Sequence, residues 1–121
     1  MNRLVAILAC VLCGGCSSAI APRAPASAFH TEVIGASVEG REIRVEILGR
    51  RGPALLIFGV IHGNEPLGAP LLERFLAHLK ANPALFADRR LVVIPVLNPD
   101  GLAGRSRYNS RGVDLNRNFP A

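Results

Sequence analysis

The sequence predicts an α/β fold organised around a parallel strand–helix–strand unit. Two short apolar runs, Ala54–Ile61 and Leu91–Leu97, are each bounded by turn residues, as strands covered on both faces are. Between them Leu67, Leu71, Leu72, Phe75, Leu76 and Leu79 recur at helical spacing. Two strands joined through a helix form a right-handed parallel crossover.

The first segment belongs to no fold. Arg3 precedes an uninterrupted apolar run of ten residues, Leu4–Cys13. That is about half the length needed to span a bilayer, so residues 1–15 read as a signal peptide. Gly14-Gly15-Cys16 resembles a bacterial lipoprotein cleavage box, with Cys16 as the lipidated residue and a membrane anchor as the consequence. Cys13 stands where such a box carries an aliphatic residue. A cut after Ala19-Ile20-Ala21 is the alternative, and Pro22 disfavours it. Cys10, Cys13 and Cys16 also spell a metal-like C-x-x-C-x-x-C, but within an apolar leader that pattern binds nothing. No cysteine follows Cys16, so disulfides and cysteine-bound metals are closed to the rest of the chain.

Residues 16–30, rich in Ala, Pro and Ser, read as a flexible tether. The domain is expected over 31–121. Gly35 and Gly40 signal turns. Glu42–Leu48 then alternates, with Ile43, Val45 and Ile47 on one face and Glu42, Arg44 and Glu46 on the other: a strand with one face solvated. Gly49–Pro53 turns the chain into the first apolar run. Pro66 suits the first turn of the helix, and Asn82-Pro83 ends it. Pro95 argues that the Leu91–Leu97 strand is an edge or irregular one.

In parallel sheets ligands bind beyond the carboxyl ends of the strands. Two polar motifs sit at those ends. His62-Gly63-Asn64-Glu65 follows the first run, and Asn98-Pro99-Asp100-Gly101 follows the second. The latter leads to Arg107 and to Gly112-Val-Asp-Leu-Asn-Arg-Asn-Phe-Pro120. Motifs far apart in sequence thereby reach one rim. His62 and Glu65 can direct an imidazole and a carboxylate at one ion; alone, His-x-x-Glu equally describes a loop histidine before a helix-start carboxylate. An arginine fork suits a substrate carboxylate, and an arginine near a metal suits a developing oxyanion. The formal net charge of +5, from 14 Lys and Arg against 9 Asp and Glu, is accounted for by Arg105, Arg107, Arg111 and Arg117 in this stretch. No basic run interleaved with aromatics is present, so nucleic acid is not an expected partner.

From Ile34 to Ala121 these residues resemble the zinc metallocarboxypeptidase family. The resemblance includes Ser37-x-Glu-Gly-Arg41, Gly59-x-x-His62-Gly-Asn-Glu65 and Gly112–Pro120. It implies a mixed, largely parallel twisted sheet with flanking helices, incomplete in this chain. It implies zinc as cofactor, His62 and Glu65 as ligands, Asn116 and Arg117 as holders of the substrate's terminal carboxylate, and Arg107 as the group that polarises the scissile carbonyl. Arg105 is the rival for that last role. Within the family the short form resembles murein peptide amidases, which cleave γ-D-glutamyl-diaminopimelate in cell-wall peptides. Export to the periplasm is compatible with such a substrate.

The family also uses a later histidine ligand and a later glutamate base. No histidine follows His78, and the acids after Glu73 are Asp88, Asp100 and Asp114. Asp100 and Asp114 are expected to brace loops, and His30 and His78 to lie on the surface. The 121 residues therefore read as the N-terminal part of a longer enzyme, inactive alone. Two rival readings remain. The succinylglutamate desuccinylase and aspartoacylase group shares His-Gly-x-Glu and Asp-Leu-Asn-Arg. A noncatalytic lipoprotein could retain peptide binding without hydrolysis.

Overall fold

The computed structural model describes residues 29–120. The leader, Cys16 and nearly all of the tether lie outside the described residues. Four strands and two helices follow in the order β1 (Phe29–Ala36), β2 (Glu42–Leu48), β3 (Ala54–Phe58), α1 (Gly68–Ala81), β4 (Arg90–Ile94) and α2 (Pro99–Gly104). The sheet order is β1-β2-β4-β3. β3 and β4 are parallel, joined by α1 as expected. The β1–β2 and β2–β4 pairs are antiparallel, so the sheet is mixed and its parallel part is this one pair.

Phe29 and His30, read as tether, pair with Leu48 and Ile47 as the start of β1. Gly35 does not turn the chain; it lies in β1, where the register with β2 shifts between Val33 and Gly35. The turn falls at Gly40, which adopts φ 78°, a region open to glycine at little cost.

One core holds the layers together. Leu48, Leu91 and Val93 of the sheet meet Leu76 and Leu79 of α1 and Phe86 of the 3₁₀ turn Pro83–Phe86. Leu48 and Val93 are fully enclosed, and truncating either would cost about 1–5 kcal/mol. The polar face of β2 is only partly solvated, because α1 reaches over it and Lys80 Nζ bonds Glu46 at 2.7 Å. α1 begins two residues after Pro66, and its last turn is closed by the Asn82 side chain on His78 O.

One expectation about the apolar runs is narrowed and another is corrected. β4 is interior, flanked by β2 and β3, so of the two readings of Pro95 the edge is excluded and the irregular position holds. Pro95 is compatible with that because the strand ends at Ile94, so no ladder bond needs its missing N–H. β3 is not covered on both faces among the described residues. It has β4 as its one neighbour there, and Leu55, Leu56 and Phe58 are exposed. Phe119 stacks on Phe58 with centroids 6.4 Å apart and covers part of that surface.

Candidate active site

The chain leaves β3 through an irregular link. Val60 is buried at φ 47°, a conformation that costs a β-branched residue of order 1–3 kcal/mol. Its carbonyl accepts from Asn98 N, and Gly59 O accepts from Leu97 N. The ends of β3 and β4 therefore stay clasped beyond the regular ladder.

Asn98 fixes this junction. It is 2% exposed. Its Oδ1 accepts from Gly101 N at 2.9 Å, capping α2, and its Nδ2 donates to Ile61 O at 3.2 Å. One side chain thus ties the residue before His62 to the start of α2. Gly63 completes the contact: a methyl group there would fall 1.8 Å from Gly101 C. The two motifs are pressed together backbone to backbone.

His62 is 5% exposed, whereas the Glu65 side chain is 64% exposed at the rim. His62 Nε2 lies 3.0 Å from Asp114 Oδ1, and Nδ1 lies 3.3 Å from Glu65 Oε1. Asp114 also accepts from Arg107 Nε at 2.9 Å and from Asn116 N at 3.0 Å. Burial alone would raise the Asp114 pKa; the bonds from His62, Arg107 and the Asn116 N–H outweigh it and hold the carboxyl below its usual value. An ionised carboxylate only accepts, so each ring nitrogen of His62 faces an acceptor, and a cation held at Nδ1 would leave the proton on Nε2 against Asp114. Nδ1 then presents a lone pair towards the carboxylate of Glu65.

Two lone-pair atoms converging in this way fit a cation between them. Their 3.3 Å separation matches the edge of a tetrahedron with metal bonds of about 2.0–2.1 Å. The Asp114–His62 bond is the outer support that orients metal-binding imidazoles. Zinc is therefore compatible with the donors present, as two of a fuller set. Among the described residues no group of three His, Cys, Asp or Glu forms a complete site.

The arginines separate by position. Arg107 is bonded through Nε to Asp114, which leaves the far end of its guanidinium directed elsewhere. Arg105 is the left-handed C-cap of α2 and lines a cleft with Gly63, Asn64, Pro66 and Leu102. Geometry thus joins Arg107, not Arg105, to His62. Asn116 and Arg117 lie in a 3₁₀ turn, Leu115–Arg117, capped by Asp114. Both side chains are exposed, and Arg117 Nη1 bonds the Asn116 carbonyl at 3.2 Å.

Asp100 braces loops, as expected. It accepts from Ser37 Oγ, Arg41 Nη1, Glu39 N and Ser110 Oγ at 2.6–3.2 Å. Burial pushes its pKa up, but these donors bring it to about 2. The Ser37–Arg41 turn is thereby fastened to α2 and to the loop leading to Asp114. His30 and His78 lie on the surface. Sequence reasoning missed the reach of Asp114, which connects His62 to Arg107, and placed Asn98 in the second motif without giving it a role of its own. Signals existed: Asn before Pro is a helix-start pattern, and Asp114 is a lone acid between Val113 and Leu115.

Comparison with known proteins agrees with this arrangement. The zinc carboxypeptidase family model matches residues 21–121. Carboxypeptidase SOL1 of Arabidopsis thaliana is 40% identical over 100 residues, covering 72% of this chain and 20% of that protein. A metallo-carboxypeptidase structure from Burkholderia cenocepacia superposes with TM-score 0.66 at 25% identity, covering 74% of this chain and 28% of that one. An aspartoacylase family protein from Mesorhizobium loti gives TM-score 0.65 at 28% identity, covering 80% and 32%. The chain thus spans about a fifth to a third of these relatives. With the paired motifs, the superposed fold and the matched family model in agreement, the chain belongs to the zinc carboxypeptidase family.

Proposed function

We propose that this chain supplies the first part of a zinc peptidase site that releases a residue bearing a free carboxylate. The observation that carries this reading is the single connected cluster Glu65–His62–Asp114–Arg107, assembled from both motifs. His62 and Glu65 would hold the metal. Zinc bound there would polarise the scissile carbonyl and lower the pKa of a bound water. Asp114 keeps the His62 proton on Nε2 and holds the Arg107 stem, so that the free end of the guanidinium can meet charge developing on the carbonyl oxygen. Asn116 and Arg117, on the turn that Asp114 caps, bind the substrate's terminal carboxylate.

The finer reading is an exported enzyme, anchored through a lipid on Cys16, that acts on cell-wall peptides at the γ-D-glutamyl-diaminopimelate bond. The leader pattern and the carboxylate-seeking arginines support it. The test is hydrolysis by the full-length protein of γ-D-glutamyl-diaminopimelate peptides, of ordinary peptides with free or amidated C-termini, and of N-acyl amino acids. Cleavage that requires a free carboxylate supports the peptidase; cleavage of the cell-wall peptide in preference to the others supports the finer reading. The likeness to the M. loti protein favours a second reading, an amino-acid deacylase, which exclusive turnover of N-acyl amino acids would establish. Palmitate labelling lost in Cys16→Ser tests the anchor.

A further inference from the structure

The sheet brings a second arginine cluster together at the end opposite the site. The Gly49–Pro53 turn lies against Asp88–Arg90. Methyl groups at Gly49 and Gly52 would fall 2.1 Å from Arg89 O and 1.8 Å from Asp88 O, and Arg90 N bonds Pro53 O. Arg50, Arg51, Arg89 and Arg90 are therefore gathered at one pole, all exposed. None forms an ion pair among the described residues, and the neighbouring acid is Asp88. Beside them Leu85, in the 3₁₀ turn before β4, is 61% exposed.

The position of this pole matters more than its charge. β1 starts there, since Phe29 pairs with Leu48 next to the turn. The N-terminal segment therefore joins the domain on the arginine side. His62 and Arg107 lie past the other ends of β3 and β4. Strands of five residues at about 3.3 Å per residue put roughly 17 Å between the two sides.

We propose that this pole is a docking surface for an anionic lipid bilayer. The inference rests on the reading of Cys16 as the membrane anchor. An anchor followed by a short tether presents to the membrane the face where the tether enters. On that face four unpaired guanidinium groups meet lipid phosphates, with Leu85 at the level of the headgroups. The site at the far ends of β3 and β4 then opens away from the membrane.

The test uses the full-length protein without its leader, from residue 17 onward and unacylated, so that the anchor does not contribute. Co-sedimentation is measured with vesicles of phosphatidylcholine alone and with one third phosphatidylglycerol. Each basic residue at an anionic surface is worth about five-fold in partitioning. Binding to the anionic vesicles is expected to be salt-sensitive and to fall at least about 30-fold in the Arg50→Gln/Arg51→Gln/Arg89→Gln/Arg90→Gln protein. An Arg105→Gln/Arg111→Gln protein should bind as wild type does. Unchanged melting and peptide hydrolysis in the quadruple variant confirm an intact fold. Absent binding, or binding that the quadruple variant retains, overturns the proposal. Tighter binding to a DNA duplex than to the anionic vesicles also overturns it, in favour of a general polyanion site. Failure of the vesicle assay leaves the hydrolysis assay untouched, so the two readings fail separately.

Discussion

Replacing Asn98 by Ala should loosen the site without touching any residue proposed to bind metal or substrate. The side chain makes two bonds in a nearly dry position. Loss of the bond to Gly101 N removes the cap of α2, worth about 1 kcal/mol. Ile61 O loses its donor, which costs about 1–3 kcal/mol when a carbonyl is shielded from water. The sum is about 2–4 kcal/mol of stability in the full-length protein, measured by urea denaturation. The second effect is positional. Ile61 precedes His62, and a displacement of about 1 Å at a reacting group can cost about 100-fold in rate. Asn98→Asp separates the two effects. It keeps the acceptor for Gly101 N but sets a carboxylate against Ile61 O, so the cap survives while the link to His62 is lost. Zinc affinity, by chelator competition, and kcat/KM should fall in both variants. A loss below about 1 kcal/mol in Asn98→Ala, with zinc affinity unchanged, would refute the claim that Asn98 fixes the junction.

Further outcomes follow from the same geometry. His62→Ala and Glu65→Ala should each strip zinc from the full-length enzyme, read by elemental analysis after dialysis. Asp114→Asn should retain zinc with about 10–100-fold lower affinity, the usual effect of removing the group that orients a ligand. Arg107→Ala should lower kcat by about 10²–10³, as loss of an oxyanion donor does. Arg117→Ala should mainly raise KM, and Arg117→Lys should recover little because an ammonium lacks the fork. A kcat defect in Arg105→Ala in place of Arg107→Ala would reverse that assignment. Asp100 has a folded pKa of about 2, below its usual value. Its contribution to stability is thus complete above about pH 4 and is lost as pH falls towards 2. Asp100→Asn should lower stability at neutral pH and flatten the pH dependence between 4 and 2; an unchanged acid profile would show that the Asp100 network does not hold the turn.

The strand–helix–strand unit was legible because its signals are local: apolar runs, helical spacing and Asn82-Pro83. The pair of motifs was legible for the same reason, each being contiguous. What sequence hid was set by partners distant along the chain. β1 carries exposed residues throughout, so no buried face marks it, and pairing with β2 holds it as a strand. Pro95 left an edge and an irregular position both open, and the structure takes the second, because the regular strand stops at Ile94. Asp114 looked like a loop brace because its contact with His62 spans 52 positions. Charge was attributed to the substrate loop alone, since Arg50–Arg51 and Arg89–Arg90 become one cluster only when the Gly49–Pro53 turn packs on β4.

The central claim is that a metal sits between His62 Nδ1 and Glu65 while Asp114 occupies Nε2. Anomalous diffraction at the zinc edge from crystals of the full-length protein tests it directly. The account predicts one peak about 2.0–2.2 Å from both His62 Nδ1 and a Glu65 carboxylate oxygen, with the Asp114–Nε2 bond intact. A zinc peak on Nε2, or one that contacts neither residue, would contradict it.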